Sequence, residues 1–281
     1  LSSALKAGVL WDATKQLHLG EKKSLRDIIN KYEIDDYTVA KVKAIYSAYR
    51  YLEIEVDPGY ELQAKVDMTY DIILPPSQFV PSITVGDNHA KEVVNLWKEA
   101  NKQSEDDRKW IFPLKITGFY DRKYSTYFAE DKLSGRPSFY LDPFALQSQC
   151  GTYLLADPNL EYFIMEVVQF PQHKELKKGE SPSQMYERVL SDILSRPSKF
   201  FMGFDKEKRK YGVKFFRGEI CLDEIEKSYQ QIVIELLSAR WSNNWYKNRK
   251  ACNNMYGRQC EFMTVCSTNT VSDTMYKIRE K

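Results

Sequence analysis

Helices at the start, then strands, then helix and strand in alternation predict a mixed α/β domain whose central mixed β-sheet is flanked by helices. Three observations carry that expectation. Apolar residues recur at helical spacing through residues 1 to about 50. The period changes to two from Tyr60. Beyond residue 110, apolar runs of strand length alternate with helical patterns.

In the first segment Leu5, Val9, Leu10 and Ala13 share one helical stripe, and Ser24 stands before Leu25, Ile28 and Ile29 as a cap. Tyr37 to Tyr51 continues with Val39, Val42, Ile45, Tyr46 and Tyr49 on one side, a stripe expected to pack into a core rather than to face a ligand. Leu62, Ala64, Val66 and Met68 alternate with polar residues as in a half-buried strand. Pro75, Pro76 and Pro81 break the chain into a loop. Ala90 to Ala100 reads as a helix, and Glu105, Asp106 and Asp107 as a solvated run. Trp110 to Tyr120 reads as a strand and Arg122 and Lys123 as a turn. Tyr124 to Ala129 then reads as the strand completing a hairpin. Gly135 and Pro137 precede a helix from Pro143 to Leu155. A strand from Glu161 to Phe170 and a helix from Gln184 to Leu194 follow. A short strand, Val213 to Phe216, leads to a long helix from Leu222 to Trp241 with Ile225, Tyr229, Ile232 and Leu236 on one face. No linker divides this order, so one domain is expected over residues 1–281. Its parts are a helical 1–60, a core of 60–220, and a C-terminal helix with a Cys-rich tail over 221–281.

A chain of 281 residues can bury a sizeable core. No apolar run approaches the roughly 18 to 20 residues of a membrane span, so no membrane partner is expected. The 41 basic and 39 acidic side chains leave a net charge of +2, which neither demands nor excludes nucleic acid. Five cysteines, an odd count without a secretory signal pattern, point to a reducing, cytoplasmic setting.

The chemistry lies between residues 118 and 153. Gly118-Phe119-Tyr120-Asp121 is followed, nine residues after the Asp, by Glu130-Asp131-Lys132. If Asp121 ends one strand and Glu130 lies on its hairpin partner, two carboxylates face each other. With water and phosphate oxygens they suit Mg²⁺ or Mn²⁺. Such an ion activates water, neutralises a pentavalent phosphate and stabilises the leaving oxygen. Lys132, two residues after Glu130, shares its face of the strand and can offset phosphate charge. By themselves these residues also fit a solvated surface hairpin. The next helix adds Gln149-Cys150-Gly151-Thr152-Tyr153, whose Gln and Tyr lie four apart on one helical face.

The order Gly-x-x-Asp, E-x-K and Q-x-x-x-Y resembles the PD-(D/E)XK nuclease superfamily, specifically its RecB-like exonuclease branch. That branch includes nuclease domains of recombination helicases, CRISPR spacer-acquisition nucleases and phage exonucleases. The resemblance extends from about residue 4 to residue 266 and is most specific from Gly118 to Tyr153. It implies a restriction-endonuclease-like core and metal-dependent DNA hydrolysis in recombination, repair or phage DNA metabolism. Helicase, recombination or replication proteins would be partners of such an enzyme in a bacterial, archaeal or phage-infected cell. It also implies that Asp121 and Glu130 ligate metal, that the backbone carbonyl of Asp131 adds a ligand, and that Lys132 is the catalytic lysine. Gln149 and Tyr153 would steady the site or touch DNA.

Two places depart from that pattern. Family members carry a metal-binding His on an N-terminal helix in a Gly-x-x-x-His context. Here Gly8-Val9-Leu10-Trp11-Asp12 puts Asp12 in the His slot, as a metal ligand or as a helix-surface residue. His18 is out of spacing. The tail, with Cys252, Cys260 and Cys266, resembles that of iron–sulfur members, in which one earlier and three later cysteines hold a [4Fe–4S] cluster. No cysteine precedes Cys150, so the fourth ligand is not in this chain. Upstream of Leu1 is one place for it, and a zinc site or plain reduced thiols are the other readings. Cys150 and Cys221 are expected in the core.

DNA contact has three candidate patches. One joins Arg240, Trp241, Trp245, Tyr246, Lys247, Arg249 and Lys250. A second is Lys206, Lys208, Arg209 and Lys210, and a third Lys174, Lys177 and Lys178. Two alternatives to an enzyme stay open: a DNA-binding subunit that keeps the fold without catalysis, and an iron–sulfur- or zinc-stabilised interaction module. A visible thiolate-to-iron absorbance band in freshly purified protein is the expected mark of a cluster, and a colourless protein would remove it from the account.

Overall fold

The N-terminal stripes become three helices because the chain supplies a stop and a cap between them. The computed structural model describes residues 3–74, 110–142, 149–176 and 179–242. Helix α1 spans Ser3–His18, α2 Leu25–Lys31 and α3 Asp36–Tyr51. Ser24 accepts the Asp27 amide at the start of α2. The Asp35 carboxylate accepts both the amide and the hydroxyl of Thr38 at the start of α3. Each cap satisfies amides that have no partner inside the helix.

The expected first strand is broken. Strand β1 is only Glu61–Leu62, Gln63 takes a positive φ of 51°, and β2 runs Lys65–Leu74. Strands β3 (Trp110–Phe119), β4 (Arg122–Lys123) and β5 (Tyr127–Ser134) follow. Beyond them lie helices α4 (Ser138–Leu141) and α5 (Gln149–Ala156), then strand β6 (Tyr162–Gln169). Helices α6 (Pro182–Ser195) and α7 (Pro197–Phe200), strand β7 (Val213–Phe216), a 3₁₀ turn (Arg217–Glu219) and helix α8 (Leu222–Ser242) complete the order. Helix α6 starts two residues before the expected Gln184. Ser181 and Gln184 close a capping box there, and Pro182 sits in the first turn, where a missing N–H costs nothing.

A mixed five-stranded sheet has the order β1-β4-β5-β6-β7. Its one parallel pair, β5 with β6, runs from Tyr127 opposite Tyr162 to Ser134 opposite Gln169, and the chain between the two strands carries α4 and α5. Strand β3 does not form the expected hairpin with the strand after it. It pairs with β2 in a separate two-stranded sheet, and the two-residue β4 takes the place beside β5, with Arg122 opposite Ala129. The partner strand also begins at Tyr127, not Tyr124, and runs through Lys132.

Side-chain alternation gives the sheet two faces. On one, Leu133 and Val168 meet α1, α3 and α6 in a core of Trp11, Val42, Ile45, Tyr49, Met185, Val189, Ile193 and Phe201. The stripe on α3 thus packs as core. On the other, Phe128, Phe163 and Phe215 stack across three strands with centroids 5.3 and 5.2 Å apart, and Tyr120 and Tyr153 close over Phe128. Burying each such ring contributes about 2 kcal/mol. Cys150 is buried in this region, whereas Cys221 is exposed, contrary to expectation, because it precedes the first turn of α8 instead of facing inward from it.

The chain divides into two compact units, Leu1–Asp71 with Pro113–Ser228, and Ile72–Phe112 with Tyr229–Lys281. The first holds the five-stranded sheet and α1 to α7. Of the second, the described residues are the outer ends of β2 and β3 and the turns of α8 from Tyr229 to Ser242. No helix among the described residues is long and apolar enough to cross a membrane. The expected proline loop at 75–81, the helix at Ala90 to Ala100, the acidic run at 105–107, residues 143–148 of the expected helix and the Cys-rich tail lie outside the described residues.

Gly203 and Gly212 close the turn that holds Phe201 in the core, with the Gly212 amide donating to the Met202 carbonyl at 2.7 Å. At Gly203, φ is +69° and an added Cβ would lie 2.5 Å from the Gly212 carbonyl oxygen. Gly59, at φ +80°, faces open space. Gly203→Ala is therefore expected to cost about 3 kcal/mol in denaturant unfolding, against about 1 kcal/mol for Gly59→Ala, and equal costs would contradict this packing.

Candidate active site

Strand β5 sends Phe128, Glu130 and Lys132 to the Phe163 side and Ala129, Asp131 and Leu133 to the α1 side. Asp121 lies in the junction between β3 and β4, one residue beyond the pair Arg122–Ala129, so it falls opposite Glu130. Its carboxylate is held from the backbone: Asp131 N–H donates to Asp121 Oδ2 at 2.8 Å. Gln63 grips the same residue twice. Its amide donates to the Asp121 carbonyl at 3.2 Å, and its Nε2 lies 3.5 Å from Oδ1.

Helix α5 closes the site from above Glu130. Gln149 Nε2 donates to Glu130 Oε1 at 2.8 Å and lies 3.2 Å from the Tyr153 hydroxyl, which donates to the Phe119 carbonyl at 2.9 Å. This approach needs Gly118, where a Cβ would come within 3.2 Å of the Tyr153 ring and hydroxyl. Lys132 Nζ donates to the same Glu130 Oε1 at 2.5 Å. Glu130 is 2% exposed, and its second oxygen, Oε2, is buried with no protein partner. The structure thus brings Asp121, Glu130, Lys132, Gln149 and Tyr153 together.

The carboxylates are uncomfortable without a cation. Burial, then the neighbouring Glu130 and Asp131, push Asp121 up to about 8. Burial also raises Glu130, against the pull of Lys132. Lys132 is raised: burial alone would lower it, but the charge and hydrogen bond of Glu130 outweigh that. A divalent ion suits this set. Two carboxylates converge, one has an unpartnered buried oxygen, and the N–H and C=O of an extended residue project to one strand edge. The Asp131 carbonyl therefore opens on the Asp121 side.

The other expected ligands come from elements outside this pair of strands. Asp12 is on α1, where Gln16 Nε2 donates to its Oδ1 at 2.8 Å. Its pKa is raised, by burial first and by Asp131 among nearby charges, while Lys23 and Lys132 oppose the shift. No three His, Cys, Asp or Glu side chains among the described residues converge as a metal-holding group. Cys252, Cys260 and Cys266 lie outside the described residues. His18 packs edge-on against Tyr46 and Tyr49.

Behind the site is a buried ionic quartet that periodicity alone does not reveal. The Asp131 side chain crosses to the α1 face, where Lys15 lies 3.4 Å from Asp131 Oδ1 and 3.3 Å from Glu166 Oε2. Arg122 lies 3.2 Å from Asp131 Oδ2 and 2.8 Å from Glu166 Oε2. Burial alone would raise Asp131, but Lys15 and Arg122 hold it down at about 2. Arg122, expected in a turn, is 1% exposed, as is Lys15.

Of the basic patches, Lys208 pairs with Asp205 at 3.0 Å, Arg209 with Glu53 at 2.8 Å and also with Glu55, and Lys210 with Asp57. These cations are neutralised locally. Lys177, Lys178 and residues 243–250 lie outside the described residues. No protein-family model matches the chain, and comparisons with curated proteins and with solved structures return no match.

Because the folded pKa of Asp121 is about 8 against an ordinary 3.8, the native state holds a proton that the unfolded chain has released between those values. Its contribution is full below about pH 4 and lost as pH rises through about 8, on the order of a few kcal/mol with Glu130 titrating in concert. Metal-free protein is expected to lose stability over that window. Asp121→Asn should flatten the loss and Mg²⁺ should offset it. A thermal-melt series in which Asp121→Asn follows the parent would refute the assignment.

Proposed function

We propose that this chain is a Mg²⁺- or Mn²⁺-dependent deoxyribonuclease of the PD-(D/E)XK type, RecB-like branch, acting on DNA ends. The observation that carries the reading is the convergence of Asp121, Glu130, Lys132 and Gln149 on one sheet face, around a buried carboxylate oxygen that no protein group satisfies. The sequence expects Asp121 across from Glu130 with Lys132 on the same strand face, and the fold supports reading them with Gln149 as one site.

Asp121, Glu130 and the Asp131 carbonyl would hold the ion, which when bound supplies an activated water and withdraws charge from the phosphate. The protein's own groups do the rest. The Asp131 amide fixes one Asp121 oxygen and leaves the other turned toward Gln63. Gln149 keeps the Glu130 carboxylate from rotating, and Tyr153 ties that helix to the β3 strand end. Lys132 keeps its proton beside Glu130, so its part is to neutralise the phosphate and orient water, not to abstract a proton.

Incubation with end-labelled linear DNA and with closed circular DNA, in Mg²⁺, Mn²⁺ or chelator, tests this. Metal-dependent loss from ends is expected, with Lys132→Ala and Asp121→Ala lowering kcat by roughly 10²- to 10⁴-fold while the circular dichroism is unchanged. Inactive parent protein that still binds DNA would mark a non-catalytic subunit. Cleavage undiminished in the folded variants would overturn the assignment.

A further inference from the structure

We propose that Lys15 and Arg122 are positioning residues: from the back face of the sheet they fix Asp131, whose peptide group sets the Asp121 carboxylate on the front face. The function they would serve rests on the nuclease reading, but the coupling itself does not. Asp131 and Glu166 are register partners on adjacent parallel strands, so two carboxylates stand side by side inside the protein. Like charges directly opposite destabilise a sheet pair. They are tolerated because two cations from different elements, Lys15 on α1 and Arg122 on β4, each reach both of them. Lys15 is held in turn by the Tyr49 and Tyr211 rings, 4.6 and 5.5 Å from its Nζ, and by the Tyr211 hydroxyl at 3.5 Å.

The consequence for the front face follows from strand geometry. With its side chain locked on one side, Asp131 cannot twist about the strand, and its N–H stays aimed at Asp121 Oδ2. Arg122 carries the constraint a second way, being the residue next to Asp121 and the last one paired to β5 before the carboxylate. The two segments therefore divide their charges between the faces: Asp121, Glu130 and Lys132 stand in the site, Arg122 and Asp131 behind it.

The test reads the coupling directly. Arg122→Lys keeps the charge but shortens the side chain and replaces the guanidinium whose Nη2 meets both carboxylates, and Lys15→Met removes the charge at nearly constant size. In metal-free protein, amide exchange at Asp131 is expected to quicken about tenfold relative to Phe128 and Phe163. Mn²⁺ affinity and kcat should each fall about tenfold, with KM for DNA changed less than twofold. A purely structural role would lower the folded fraction and leave these per-molecule values alone. Folded variants with parental Asp131 exchange and Mn²⁺ affinity would overturn the proposal. Should Lys15→Met not fold, the charge-conserving Arg122→Lys decides the question alone. Because exchange is read without DNA, a parent protein that cuts nothing would sink the nuclease reading and still leave this one to be judged.

Discussion

The hydrogen bond from the Asp131 amide to Asp121 Oδ2, 2.8 Å long, is the constraint on which the site depends. It joins the two segments that carry the carboxylates, and it does so with a backbone donor whose direction is fixed by strand β5. Everything around it serves that direction. The parallel neighbour β6 holds the strand in register, Gln63 grips Asp121 from the far side, and Lys15 and Arg122 anchor the Asp131 side chain. A buried ion quartet is weak support for stability, since desolvating four charges offsets most of their attraction. Its value here is in orientation.

The same alternation separates two electrostatic environments only one sheet thickness apart. Behind the sheet, two cations match two carboxylates, and Asp131 stays ionised. In front, Asp121 and Glu130 share a single ammonium, Lys132, and both carboxyls are pushed toward the protonated form. That imbalance is what a divalent cation would relieve. It costs stability in the metal-free protein, and such locally unfavourable charge is a recurrent property of sites that bind or react.

Local patterns carried much of this into the sequence. The i, i+2 relation of Glu130 and Lys132 and the i, i+4 relation of Gln149 and Tyr153 follow from strand and helix periods, and the structure turns both pairs toward one another. Strand β7 matched its expected limits because a short apolar run leaves little freedom. What escaped was set by distant partners. Arg122 reads as a turn residue until Glu166, 44 positions later, is folded against it, and Lys15, which no sequence pattern singles out, meets Glu166 across 151 positions. The expected hairpin gives way for a similar reason: β3 pairs with β2, and two residues of β4 suffice to carry Asp121 to β5. Cys221 is apolar enough for a core but falls just outside the helix that would have turned it inward.

Calorimetric titration of Mn²⁺ into the metal-free protein near neutral pH, repeated in buffers of different ionisation enthalpy, addresses the central claim most directly. Asp121 and Glu130 as a crowded, partly protonated pair predict saturable binding that releases roughly one proton per ion and is lost in Glu130→Gln. No binding, or binding of equal strength in Glu130→Gln, would contradict a metal centre on this face of the sheet.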